Sequence, residues 1–126
     1  MAQGFTDLDV YKICRKFRKQ VSEWIKLYFP KSEKYQLTQQ ILNASRSITA
    51  NIAEGYGRYY YQDNVRFCRI AKGSLEETLE HLITAYDEKY LTLDILKEAK
   101  RHHENCIKLL NGYIRFLLKT KNKEFD

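Results

Sequence analysis

Apolar residues recur three and four positions apart along four long stretches of this chain, and little interrupts them, since its 126 residues include one proline and five glycines. That spacing puts the apolar side chains on one face of a helix. So few turn formers also leave an all-β fold without its turns. In the first stretch the stripe is Tyr11, Cys14, Phe17, Val21, Trp24 and Tyr28. Thr6 or Asp7 is the expected N-cap, and Pro30 ends the helix because the residue before a proline avoids the α region. After the linker PKSEKY, the second stripe is Leu37, Ile41, Ala44, Ile48 and Ile52. Gly55 and Gly57 are expected to close that helix in the left-handed C-cap conformation. The third helix runs from about Tyr61 to Glu88 on Val65, Cys68, Ala71, Leu75, Leu79, Leu82 and Tyr86. Gly73 lies in its middle at a propensity cost of about 1 kcal/mol relative to alanine, which predicts close approach by a neighbouring helix. The fourth begins at Thr92 as N-cap and runs to about Lys119 on Leu96, Ala99, His103, Ile107, Leu110, Ile114 and Leu117. The polar tail beyond, about residues 120–126, is expected to fray.

Helices of about 18–28 residues span roughly 27–42 Å each. Short connections force consecutive helices antiparallel, so the expected fold is all-α, an antiparallel up-down-up-down four-helix bundle forming one domain over residues 1–126. Hydrophobic residues at 44% and charged residues at 30% exclude disorder as the default. No apolar run approaches the ~18 residues of a membrane span, and the acidic start MAQGFTDLD lacks the apolar core of a secretory signal. Three cysteines, an odd number, suit a reducing cytoplasm.

The residues that commonly carry chemistry do not fall into catalytic patterns. A di-iron bundle needs Glu-x-x-His pairs on two helices; here Glu77 and His81 are four apart, and no glutamate has a histidine three residues later. His103 and Cys106 are three apart, but closely spaced cysteine pairs are absent, so Cys14, Cys68 and Cys106 read as core residues rather than zinc ligands. Ser47 and Ser74 sit in no strand-turn-helix elbow, and Gly55–Gly57 follows a helix rather than a strand. The expectation is a non-enzymatic protein with no catalytic residues, metal or cofactor. The informative polar set is Gln40, Ser47, Asn51 and Glu54, which runs beside the second apolar stripe. Arg66, Arg69 and Ser74 on the third helix are its expected partners in a structural network that fixes helix register. Tyr56, Tyr59, Tyr60 and Tyr61 cluster with Arg58 between the second and third helices. Such a cluster can stack bases, but Tyr and Arg enrichment favours a subunit interface or local packing.

The net charge of +6 is uneven. The segments before Pro30 and after Tyr90 carry the excess between them. In the expected topology the fourth helix returns beside the first. Lys12, Arg15, Lys16 and Lys19 would then merge with Lys108, Arg115 and Lys119 into one basic face, attractive to RNA or DNA through counterion release. Trp24, Ile25 and Leu27 on the first helix, with Tyr113 and Phe116 on the fourth, exceed a single stripe and imply a homo-oligomer.

Gln40 to Arg58 reads QILNASRSITANIAEGYGR, and Phe67 to Glu77 reads FCRIAKGSLEE. With Phe5-Thr6-Asp7-Leu8 and Phe29-Pro30, these segments resemble a bacterial four-helix-bundle family encoded within intervening sequences of large-subunit ribosomal RNA genes. The matching positions are Asn51, Glu54, Gly55, Gly57 and Arg58, then Gly73, Ser74, Leu75 and Glu77. That family is in turn similar to the accessory variability determinant of diversity-generating retroelements, a basic pentameric ring associated with nucleic acid and a reverse transcriptase. The resemblance therefore implies a pentamer and, by analogy alone, a reverse transcriptase partner; it supplies no catalytic residues. The chain departs from the family at Leu42 and Asn43, where two arginines are usual, at Thr49, often proline, and at Lys89, often glycine. Without the arginine pair, any RNA contact shifts from the second helix to the first. The expected function is a nucleic-acid-associated oligomeric module. The alternative is a protein-interaction or structural scaffold that does not touch nucleic acid.

Overall fold

Leu8 decides where the first helix begins. The computed structural model describes residues 4–125, with side chains through Thr120. A 3-10 turn at Phe5–Asp7 opens into extended backbone at Leu8, and α1 follows over Asp9–Tyr28 with Leu8 as its N-cap. This corrects the expected capping by Thr6 or Asp7. The Asp7 carboxylate instead accepts the Gly4 N–H at 3.3 Å, while Leu8 packs on the core, so an apolar contact fixes the start of the helix. Phe29 is extended at φ −80°, ψ 134°, and ends α1 one residue before Pro30. A second 3-10 turn, Lys31–Glu33, leads to α2 at Leu37–Tyr56, α3 at Tyr61–Asp87 and α4 at Leu93–Phe125. Thr92 caps α4, its hydroxyl accepting the Ile95 N–H at 3.3 Å. The α4 backbone continues past the expected end near Lys119; the frayed tail expected from about residue 120 falls largely outside the described side chains.

α1 packs against α2 and α4, and α3 packs against α2 and α4. This ring of neighbours is the up-down-up-down bundle. Each helix commits its stripe to one core, with Phe17, Ile41, Ile48, Ile52, Leu75, Leu82, Leu110 and Leu117 almost wholly buried. Trp24 and Ile25 belong to that core at 3% and 8% exposure, so neither is surplus apolar surface as the sequence suggested. Leu27 and Phe116 do lie outside it, at 63% and 59%. Cys14, Cys68 and Cys106 are buried free thiols. Burial pushes the Cys68 thiol up to about 11, and a hydrogen bond to Cys106, reinforced by burial, pushes Cys14 up as well. Cys14 and Cys68 therefore lack the thiolate character that reactivity requires.

The glycines exchange the roles expected of them. No described glycine has positive φ, and Gly57, the C-cap of α2, sits at φ −77°. Gly55 is buried inside α2, where a Cβ would lie 2.6 Å from Asn64 Oδ1 and 3.0 Å from Phe67 Cβ on α3. The close approach of helices is therefore at Gly55, whereas Gly73 faces open space. The left-handed residue is Lys89 at φ 68°, in the α3–α4 turn. There the Tyr90 N–H bonds the Ala85 carbonyl and the Lys89 N–H bonds the Tyr86 carbonyl, both at 2.9 Å. These two bonds form a Schellman motif, whose left-handed position is usually glycine.

Candidate nucleic-acid interface

The outer side of α1 carries the densest run of unpaired charge. Lys12, Arg15, Lys16 and Lys19 are all exposed and, with Gln20 and Glu23, line a shallow groove of about 340 Å³. Their spacing of three and four residues places them on the face opposite Cys14, Phe17 and Val21. Among the described residues none of the four forms an ion pair, and Arg58 is the one Lys or Arg that does.

The register between α1 and α4 follows from their contacts. Cys106 Sγ lies 3.7 Å from the Ile13 carbonyl. The Phe17 and His102 rings stack at 6.2 Å, and Leu8 and Leu117 line one cavity. The numbers fall on one helix as they rise on the other, as antiparallel packing requires. The segment Lys12–Lys19 therefore lies beside residues around 100–108 of α4. Lys108 is level with the start of that segment. Arg115 lies about 13 Å further along α4 than Cys106, and Lys119 further still. This corrects the single merged patch expected from the sequence. Antiparallel direction was correctly anticipated, but not the stagger, which core contacts set. Arg115 partly closes the gap: its Nη2 lies 3.7 Å from where a Cβ on Gly112 would be, so the guanidinium folds back along α4.

Two cations outside the expected basic face, Arg18 and Arg46, lie in the groove between α1 and α2. Arg18 donates from Nη1 to the buried Thr49 hydroxyl at 2.7 Å. With Lys19, Ser22, Ser45 and Arg46 it lines a cavity of about 200 Å³. The available signal was Arg18 standing three residues after Arg15 and four before Ser22.

The polar set of α2 divides. Ser47 and Ser74 share a hydrogen bond at 2.8 Å between α2 and α3. Asn51 Nδ2 donates to the Ser47 carbonyl and hydroxyl, both at 2.8 Å. The other four candidates stand apart from this network. Gln40 is exposed. Glu54 pairs with Arg58 one turn on, at 3.0 Å on the surface. The guanidinium of Arg66 lies 4.7 Å from the Phe67 ring centroid, and Arg69 is exposed. One helical turn separates Ser47 from Asn51, which is enough to reach Ser74; Gln40 and Glu54 rotate away from the α2–α3 contact.

A cavity of about 760 Å³ lies where the α2–α3 turn meets the start of α1 and the second half of α4. Tyr56, Tyr59, Tyr60 and Tyr61 line it from the turn, Tyr113 and Phe116 from α4, with Arg58 and Asn64 beside them. Asn64 is buried and donates to the Tyr113 hydroxyl at 3.2 Å. Burial pushes the Tyr113 phenol up, against the opposing effect of that hydrogen bond. Tyr59 and Tyr60 meet edge to face at 4.8 Å. They remain 88% and 53% exposed. Among the described residues no group of His, Cys, Asp and Glu is arranged to hold a metal ion, and no helix is long and apolar enough to cross a membrane.

The 23S rRNA-intervening sequence protein family model matches residues 6–112. The chain is also similar to a crystal structure of a protein with unknown function from the S23 ribosomal protein family of Bacteroides thetaiotaomicron. The TM-score is 0.76 at 23% identity, covering 84% of this chain and 95% of that one, a likeness of fold. No curated protein matches.

Proposed function

Because the chain belongs to the 23S rRNA-intervening sequence protein family, we propose that it is a non-enzymatic helical module that associates with nucleic acid through the outer face of α1. The observation that carries this reading is that Lys12, Arg15, Lys16 and Lys19 are exposed on one helical face without a carboxylate partner among the described residues. A cation already engaged by a carboxylate gains little from a phosphate, whereas an unengaged one releases counterions and gains fully. Lys108 extends this face from α4, whereas Arg115 and Lys119 are separate cations nearer the end of the bundle. Phosphate contacts carry no base identity, so binding through this face is tolerant of sequence.

The reading includes self-assembly. Leu27 and Phe116 are the exposed apolar residues it uses, and the resemblance suggests five copies. A ring repeats the basic face and multiplies weak contacts through effective concentration. A reverse transcriptase partner rests on analogy and has no residue assigned to it. The reducing cytoplasm suits three free, buried cysteines.

The test is salt-dependent retention of RNA. The parent should bind at about 50 mM salt and lose affinity steeply by about 200 mM, with the slope reporting the number of phosphates engaged. Reversing Lys12, Arg15, Lys16 and Lys19 to glutamate should abolish binding and leave the helical circular dichroism unchanged. Equal retention by parent and reversed protein would reject this face. No retention by the parent at low salt would favour the scaffold.

A further inference from the structure

The cavity at the α2–α3 turn is built unlike the basic stripe, and the difference bears on what kind of nucleic acid the protein takes. Its walls are aromatic and none of its lining residues is a carboxylate. Its volume of about 760 Å³ falls within the range of small-ligand sites. Tyr59, Tyr60 and Phe116 gain little from the fold, at 88%, 53% and 59% exposure. Large aromatic rings held at a cavity mouth offer π-faces to something that is not part of the chain.

Of the lining residues Arg58 alone is charged, and Glu54 already pairs with it at 3.0 Å, so the phosphates are met by the α1 stripe rather than by the cavity. Arg58 stands in the wall, its guanidinium 4.8 Å from the Phe67 ring centroid. The basic stripe of α1 runs toward the same end of the bundle: Lys12 lies one helical turn from Leu8, which lines the cavity. A strand whose phosphates follow Lys19, Arg15 and Lys12 would therefore arrive at the tyrosines. A duplex keeps its bases stacked inside and has nothing to place there, whereas a single strand can turn its bases outward.

We propose that this cavity receives the unstacked bases of a single-stranded nucleic acid whose backbone lies on the α1 stripe, an inference that rests on the function proposed above. Tyr59, Tyr60 and Phe116 are the stacking faces, and the cations are those of the α1 stripe. Stacking on tyrosine is open to every base, so the site adds a preference for single strands without adding a sequence.

The experiment compares three fluorescently labelled probes by anisotropy at about 50 mM salt: a 12-nucleotide oligouridine, an abasic ribose-phosphate strand of the same length and a 12-base-pair RNA duplex. The oligouridine should bind about 10-fold or more tighter than the abasic strand, and the duplex should resemble the abasic strand. Tyr59→Ser with Tyr60→Ser should erase that difference and leave abasic binding as in the parent; both side chains are exposed, and circular dichroism checks that the fold is kept. Equal affinity for oligouridine and the abasic strand overturns the base site while the α1 interface stands. If no probe binds, the interface fails, and a titration with uridine monophosphate followed by tyrosine ring resonances decides the cavity alone. Shifts confined to these tyrosines support it, and their absence overturns it. A parent whose mass by light scattering falls to the monomer on the double substitution, with no base preference, makes the cavity a contact between copies and also overturns it.

Discussion

At Gly55 the α2 backbone lies so near α3 that a single methyl group has nowhere to go. Beyond its contact with the Asn64 side chain, an added Cβ would sit 3.1 Å from the Asn64 carbonyl, and a backbone atom cannot swing aside. Gly55→Ala should therefore destabilise by about 1–3 kcal/mol, as overpacking does. Gly73→Ala meets nothing within 4 Å and should stabilise by about 0.5–1 kcal/mol through helix propensity and a less flexible unfolded chain. Urea denaturation of both variants checks the pair, and a reversed order of stability would rule out this assignment. Neither role was legible from the sequence. Two glycines in helical surroundings look alike until the partner helix is in place.

Between elements, α2 and α3 are held in register by the short chain of Ser74, Ser47 and Asn51. Ser47→Ala removes the bridge at 2.8 Å and one acceptor of Asn51, and should cost about 1–2 kcal/mol. Glu54→Ala breaks one exposed pair and should change stability by less than about 0.5 kcal/mol. Thermal melts of the two variants separate these outcomes. A Glu54→Ala loss as large as that of Ser47→Ala would restore Glu54 to the network. Helical spacing put Gln40, Ser47, Asn51 and Glu54 on one strip of the cylinder. Only the crossing of α3 determines which part of that strip is covered, so all four could be foreseen as polar and bordering the core, but not which of them are paired across the helices.

Across the whole molecule, the two ends of the bundle are closed by different means. At the end away from the aromatic cavity, the Tyr90 hydroxyl donates to Glu33 at 2.7 Å, tying the α3–α4 turn to the segment before α2, and the Phe29 ring lies 5.9 Å from Tyr90. The hydrogen bond to Glu33 pushes the Tyr90 phenol up to about 12, with burial adding to it. In the unfolded chain a tyrosine titrates near 10 (about its reference value). The folded state therefore holds this proton more tightly. The stability contribution is complete below about pH 10 and is lost as the pH rises through about 12. Melting temperatures of the parent and Tyr90→Phe should converge as the pH rises from about 8 to 11. Parallel curves would remove Tyr90 from the account of alkaline stability.

The sequence by itself determined the helices, their order and their inward faces, because a period of 3.6 residues and a shortage of turn formers act locally. Pro30 and Thr92 ended and began helices where their own chemistry requires. The sequence also marked the α1 cations as one face, since spacing on a helix is a local property. The tertiary structure alone decided the stagger of α1 against α4, which separates Lys12–Lys19 from Arg115 and Lys119. It also decided the burial of Trp24 and Ile25 in the core and the gathering of Tyr59, Tyr60, Tyr113 and Phe116 around one cavity. These depend on how far one helix slides along another, and that distance is set by the fit of many side chains at once, which no single helix carries in its own spacing.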